Sequence, residues 1–456
     1  MGGEHLERLN SPASPDRGIA GIGHGERQAG VERTAFQKML QLRARGEFAH
    51  ASQIAERVRH NPDTVTASRM AGSSDQVCLG HLQLAVTDLL VGNTARALAE
   101  LRTAAALASG AEPFGWVRRN VVGKLALVSA LRGSLMDASG ALEEALGMSE
   151  PEFPARRFTL FNEYVAARFL ALETGREVPL EPRIARPQTG DDSVVDTDAD
   201  ELWCVAMLVD ARVALVQSRP AFALELVNAA RARHPSEPGS LAADLLGALS
   251  AESFLLMGNV HGAKESVAAT TGPYSQVART RTLLYEGETA AVIREARRLS
   301  SSSAISLAHR GELLLLELWA GHLAGAPVDP PAAIAAAHLA THSHKRRLFT
   351  TVPEAVVEAI AEVLPDDERR MFNDAVDGLT FLTPPTLRAS LTPRESDVLA
   401  ALARYHTINA TATALYVSPN TVKTQVASIY RKLGVKDRQQ AITVASKLGL
   451  LASSNR

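Results

Sequence analysis

Cysteine is almost absent: Cys78 and Cys204 stand alone in 456 residues. Two thiols so far apart supply neither a disulfide framework nor a zinc-ligand spacing, and they fit a reducing cytoplasm. Aromatic residues are scarce, at 5%, which favours packing between Ala- and Leu-rich helices over large sheets. No run of about eighteen uncharged apolar residues occurs, so no membrane-spanning helix and no membrane partner are expected. The N-terminus lacks a basic segment followed by an apolar run, which argues against a secretory signal. The phosphate loop Gly-x-x-x-x-Gly-Lys-Ser/Thr is missing, and Gly258-Asn-Val-His-Gly262-Ala-Lys264 misses its spacing. Strands do not alternate with helices in the N-terminal half, which argues against a phosphoacceptor receiver domain. His338 and His342 stand four apart with His344 beside them, but they lack an acidic third ligand and adjoin Lys345-Arg346-Arg347. They read as a cation-rich helix end, not a metal site. No nucleophile–base spacing stands out. The sequence therefore predicts no catalytic residue, no metal and no cofactor.

Charge is balanced only on average. The net value is −2. Residues 391–456 hold nine Lys/Arg against three Asp/Glu, a net of +6, and the other 390 residues carry −8. Basic charge gathered at one end is what counterion release from a nucleic acid requires. The acidic remainder is not expected to bind DNA.

That basic end carries helix-start signals in close succession. Thr392-Pro393-Arg394-Glu395 is a capping box, with Pro at the first helical position and Glu at the third. Ser418-Pro419 opens another helix in the same way, Asp437 with Gln440 offers a further start, and Gly434 ends the middle helix. In the helix predicted over 419–433, Val422, Val426, Ile429 and Leu433 fall in one arc at about 100° per residue. The opposite arc carries Asn420, Lys423, Thr424, Ala427 and Arg431. Long donors and small side chains on one face suit a major groove. A preceding helix near 408–415 joins through a tight turn at Tyr416-Val417, which makes a helix-turn-helix.

Residues 391–451 closely resemble the LuxR-type DNA-binding domain. The likeness rests on Leu-Thr-Pro-Arg-Glu, on Val-Ser-Pro-Asn-Thr-Val-Lys-Thr-Gln-Val, and on Tyr-Arg-Lys-Leu-Gly-Val-Lys-Asp-Arg-Gln-Gln-Ala. The resemblance implies that 419–433 is the recognition helix and that 438–449 is a dimerisation element. It places Lys423 at the base-reading lysine, Thr424 and Ala427 at neighbouring reading positions, and Thr392, Thr421 and Arg431 at phosphate contacts. The expected interface comprises Thr392, Arg394, Ser418, Asn420, Thr421, Lys423, Thr424, Ala427, Ser428, Arg431, Lys432 and Arg438. The sequence departs from the family at Tyr405 (usually Gly), Thr411 (usually Ile) and Ala410 (often acidic), which predicts looser packing of the second helix.

The region from about 33 to 375 is helical in pattern, with a hidden period. A small residue followed five positions later by Ala recurs as Gly46/Ala51, Gly92/Ala97, Gly133/Ala138, Ser218/Ala223 and Gly258/Ala263. Gly175, Gly287 (followed by Val292) and Gly325 are weaker members, and the successive spacings are 46, 41, 42, 43, 40, 29 and 38. Glycine permits the turn between two antiparallel helices, and alanine lets them approach. A period near forty resembles tetratricopeptide-like repeats with longer helices, which stack into a solenoid. Trp116, Trp203 and Trp319 lie in apolar helical runs and read as core or groove residues.

The expected architecture is all-α: a disordered leader at 1–32, a helical-repeat domain at 33–378, a proline-stiffened linker at 379–390 and the helix-turn-helix domain at 391–456. An acidic connection at 181–200 is expected to split the repeats into two halves. The function implied is that of a cytoplasmic transcriptional regulator binding double-stranded DNA as a homodimer. Its helical repeats would sense a small-molecule effector or recruit a protein. The alternative is a helical-repeat adaptor whose terminal domain docks protein. Salt dependence of DNA binding separates the two, because only phosphate contacts produce a steep slope.

Overall fold

The computed structural model describes residues 25–60, 74–108, 115–149, 156–178, 200–381, 393–405, 407–433, 435 and 437–447. Among them every regular element is helical. Helices α1 (Gly25–Ala44) and α2 (Phe48–His60) form the first hairpin, α3 (Ser74–Leu90) and α4 (Thr94–Leu107) the second, and α5 (Gly115–Arg132) and α6 (Leu135–Gly147) the third. Helix α7 (Arg156–Glu173) precedes the hairpins α8 (Trp203–Val216)–α9 (Pro220–Arg233) and α10 (Leu241–Leu256)–α11 (Val260–Val267). Next come α12 (Pro273–Tyr285)–α13 (Thr289–Ser300) and α14 (Leu307–Leu323)–α15 (Pro330–Thr341). A 3₁₀ turn (Arg346–Thr351) leads to α16 (Glu354–Val363) and α17 (Asp366–Val376). The C-terminal unit holds α18 (Pro393–Tyr405), α19 (Ile408–Ala414), α20 (Pro419–Leu433) and α21 (Arg438–Lys447). Helix α1 begins inside the stretch read as a leader, whose residues 1–24 lie outside the described ones.

The small residues singled out by the period all take left-handed backbone. Gly46, Gly92, Gly133, Gly175, Ser218, Gly258, Gly287 and Gly325 have φ between 57° and 85°. The same two bonds close each turn. At Gly92 the amide donates to the Leu89 carbonyl at 2.9 Å, and the Asn93 amide to that of Asp88 at 2.8 Å. This is a Schellman closure. Except after Gly175 and Gly325, the residue after the turn then serves as the N-cap of the next helix. The fifth residue is the first whose amide bonds back to that cap, as Ala97 does to Asn93 at 3.1 Å. Ala51, Ala97, Ala138, Ala223, Ala263 and Val292 are all 0% exposed. The five-residue offset is therefore the distance from turn to first closed helical turn, where a small side chain lets the two helices meet.

Ion pairs tie one hairpin to the next at nearly the repeat length. Arg59 reaches Glu100 at 2.7 Å across 41 residues, Arg168 reaches Asp210 at 2.8 Å across 42, and Arg119 grips Glu163 at 2.6 and 2.8 Å across 44. Longer returns also occur. The Phe48 amide donates to Glu237 at 2.7 Å, Gly133 lies against Ala308, and Arg347 bonds Glu173 at 2.6 Å. The chain thus comes back upon itself roughly four hairpins on.

One hydrophobic cluster includes Cys78, Leu131, Leu170, Val178, Met207 and Leu249, and a second runs from Ala251 to Val376. Residues 179–199 lie outside the described ones, yet the first cluster continues on both sides of them. The acidic connection therefore does not divide the core as expected, because α8 packs directly on α7. Trp319 is fully buried against the Tyr285 ring, while Trp203 is half-buried and stacks on His234 at 4.3 Å. No helix among the described residues is long and apolar enough to cross a membrane.

Where the two clusters meet, three arginines surround two carboxylates. Arg212 lies 3.4 Å from Glu173 and 3.2 Å from Glu312, Arg347 lies 3.5 Å from Glu312, and Arg281 lies 3.6 Å from it. Burial alone would raise the Glu312 carboxyl, but Arg212, Arg347 and Arg281 hold it down at about 2. His309 is lowered to about 4, first by burial, with Glu312 opposing and Arg212 and Arg132 reinforcing. An unfolded chain takes up that proton near 6.5, the folded chain only near 4. The neutral-His309 state thus contributes stability above pH 6.5 that is lost as pH falls toward 4, up to about 3 kcal/mol. Urea unfolding at pH 7, 5.5 and 4.5 should show this slope in the wild type and its reduction in His309→Gln. Identical slopes would contradict the assignment. Glu312 adds a second loss at lower pH, between 4.5 and about 2.

Candidate nucleic-acid interface

The C-terminal unit has its own small core. Val398, Leu399 and Leu402 of α18, Ala412 of α19, and Val422, Val426 and Ile429 of α20 form one cluster. Helix α20 spans the residues predicted for it, and Ser418 caps it by accepting the Thr421 amide at 3.1 Å. The next cap is also present: Asp437 accepts the Gln440 amide at 2.8 Å. Thr411, polar where the family is apolar, is fully buried, and its hydroxyl donates to the Thr407 carbonyl at 2.8 Å. Back-bonding of this kind satisfies the hydroxyl within its own helix.

With Val422 and Ile429 at 0% exposure, α20 is pinned by one side, and its other side faces outward. Asn420, Thr421, Lys423, Thr424 and Ala427 are all exposed. Lys423 has no partner among the described residues, so its ammonium is available. The Thr424 hydroxyl donates to the Asn420 carbonyl at 3.0 Å, which leaves its oxygen as an acceptor beside its methyl group. Ser418 and Thr421 share a hydroxyl contact at 2.8 Å at the start of the helix. Among the described residues this face carries one free cation, small side chains and short polar groups.

Three further residues of the expected interface are engaged with other helices of the unit. Ser428 donates to the buried Glu395 carboxylate at 2.7 Å and so fastens α20 to α18. The Arg438 guanidinium donates to the Leu402 carbonyl at 3.2 Å and to that of Ala403 at 3.5 Å, capping the end of α18. Arg394 is exposed and its guanidinium meets the Leu415 carbonyl at 3.4 Å, beyond the end of α19. Thr392 and Gly434 lie outside the described residues, as do the side chains of Arg431 and Lys432. At the predicted turn between α19 and α20, Tyr416 takes φ 54° and is 96% exposed. Its amide and that of Val417 make the same paired closure seen in the hairpins, to Thr413 at 3.3 Å and Ala412 at 3.0 Å. A two-residue turn of this kind requires left-handed backbone whatever side chain stands there.

A short helix, a left-handed turn and a second helix with one face buried and one polar define a helix-turn-helix unit. Residues 389–445 match the family model described as bacterial regulatory proteins, luxR family. The chain is 36% identical over 61 residues to the spore germination protein GerE of Bacillus subtilis, which covers 13% of this chain and 82% of that protein. It is 48% identical over 61 residues to a probable transcriptional regulatory protein NarL of Mycobacterium tuberculosis, 13% of this chain and 28% of that one. It is 32% identical over 113 residues to the HTH-type transcriptional activator RamA of Corynebacterium glutamicum, 24% of this chain and 36% of that one. The chain belongs to the luxR family of bacterial regulatory proteins. The matches to the NarL and RamA proteins span about a third of their lengths or less.

Proposed function

We propose that the chain is a cytoplasmic, sequence-specific transcriptional regulator that binds double-stranded DNA through α20. The observation that carries this is the exposed Lys423, unpartnered among the described residues, on a helix whose opposite side is buried at Val422, Val426 and Ile429. Helix α20 enters the major groove by its N-terminal half, where Lys423, Thr424 and Ala427 meet base edges. Thr392, Thr421 and Arg431 meet phosphate. Ser428 and Arg438 act mainly by holding α20 and α18 in register. Two copies pair through 438–449 and read half-sites about 10 base pairs apart. Within that segment Ala441 is 0% exposed and packs inward, and the side chains from 443 on lie outside the described ones. The helical region is a tetratricopeptide-like solenoid that senses an effector or recruits a partner.

The test is affinity for cognate and scrambled duplexes at several salt concentrations. A fragment starting at Thr386 should bind and residues 33–375 should not. Lys423→Ala should weaken cognate binding by about 1–3 kcal/mol and narrow the gap to scrambled DNA. Arg431→Ala should weaken both equally and flatten the salt slope by about one counterion. An unchanged cognate-to-scrambled ratio in a folded Lys423→Ala protein would remove Lys423 as the reader. A folded fragment that binds no duplex from a selection library would favour the protein-docking adaptor.

A further inference from the structure

A crevice opens where α8, α10, α12 and α14 converge. It has two small adjacent lobes, which share Arg212, Glu252, Leu255 and Arg281 as walls. Arg347 borders one lobe; Glu312, Tyr274 and His309 border the other. This is where the arginine–carboxylate cluster meets open space.

Two features of the walls are incomplete. The first is charge. Arg212, Arg281 and Arg347 are each under a tenth exposed, and their close ion-pair partners are the two carboxylates Glu173 and Glu312. Glu252, half-buried at the junction of the lobes, is a third carboxylate that acts on Arg347 without a close pair, while Lys345, 5% exposed, adds a fourth cation beside Glu173. A buried cation in excess costs several kcal/mol unless an anion joins it. The second is hydrogen bonding. Arg212 Nε and His309 Nε2 are both buried without a hydrogen-bond partner among the described residues. His309 is 4% exposed, with its other nitrogen 2.9 Å from the Ser306 hydroxyl. Buried polar atoms in native proteins are nearly always satisfied, so two orphans on one crevice wall point to something that occupies it.

The rest of the second lobe is mainly apolar, including Leu208, Leu245, Leu249 and Val277. We infer that the crevice binds a small organic monocarboxylate. Its carboxylate supplies the missing negative charge beside Arg212 and Arg281, and its short hydrocarbon body lies along the leucines. One excess cation matches one negative charge, and the leucine wall gives nothing to the remaining oxygens of a phosphate or to a second carboxylate. A role for this ligand as effector rests on the regulator reading above; its binding does not.

The experiment uses the full chain without DNA. Sodium butyrate, sodium chloride and inorganic phosphate are compared at matched ionic strength by thermal unfolding and titration calorimetry. Butyrate should raise Tm saturably with one site per chain, beyond any effect of chloride or phosphate. Ala278→Leu fills the second lobe from α12 and leaves every charge in place. Arg212→Lys keeps the cation between Glu173 and Glu312 but removes its Nε–H. Each should weaken butyrate at least about tenfold while the protein stays folded. Three results would overturn the proposal: butyrate acting no differently from chloride, phosphate binding in preference, or butyrate binding folded Ala278→Leu and Arg212→Lys as tightly as wild type. Because DNA is absent, a negative result leaves the duplex-binding experiment standing, and failure of that experiment leaves this one intact.

Discussion

A Val422→Asp variant is expected to lose helices α18 to α21 while α1 to α17 persist. Val422 is 0% exposed at the centre of the small cluster that joins α18, α19 and α20. A unit of about sixty residues holds on the order of 3–9 kcal/mol of stability. Losing the valine's burial removes about 1.5–3 kcal/mol. Placing a carboxylate among leucines and valines costs several kcal/mol more even after relaxation. The two together match or exceed what the unit has. Circular dichroism should show the loss of the C-terminal helices' share of the signal, duplex binding should vanish, and the main urea transition should stay where it was. Full helicity in the variant would mean that these residues are not the core of the unit.

The second large effect lies at a turn. Gly92 and Gly133 have nearly the same backbone, φ 78° and 85°, but different surroundings. A Cβ on Gly92 would meet nothing within 4 Å, whereas one on Gly133 would lie 2.6 Å from the Ala308 backbone nitrogen. Gly92→Ala should therefore lose only the left-handed preference, about 1–2 kcal/mol. Gly133→Ala carries that same loss and must also push α14 away from the turn. Its total should be roughly 3–5 kcal/mol. Denaturant midpoints of the two variants measure the difference directly. Equal losses would show that the turn after α5 does not bear on α14.

These two sites also mark how far the sequence could be read. Gly92 and Gly133 were both visible as turns, because a left-handed position selects its residue type locally. Ser218 was found by period alone, since serine carries no such preference. The contact between Gly133 and Ala308 left no trace, because nothing in either segment names the other. Glu173 and Glu312 look like surface charges in the sequence, and only the fold brings three arginines around them. The same division holds at the interface. The Ser418 cap and the valine stripe delimit α20 from neighbouring residues. Ser428 and Arg438 looked outward-facing, since their partners Glu395 and Leu402 lie 33 and 36 residues away.

The return of the chain upon itself limits how this protein can change in length. In an open row of stacked hairpins each unit touches only its neighbours, so a unit can be duplicated or deleted with the rest undisturbed. Here Phe48 meets Glu237, and Arg347 meets Glu173, across 189 and 174 residues. Removing the α8–α9 hairpin, which lies between both pairs of partners, would advance everything downstream by a full step. Arg347 would then face a different layer, and Glu173 would be left buried without it. The number of hairpins between such partners is thus part of the specification, as the number of teeth is for meshing gears. Lineages of this chain should vary at its ends and in its connecting segments, while the count in the middle stays constant.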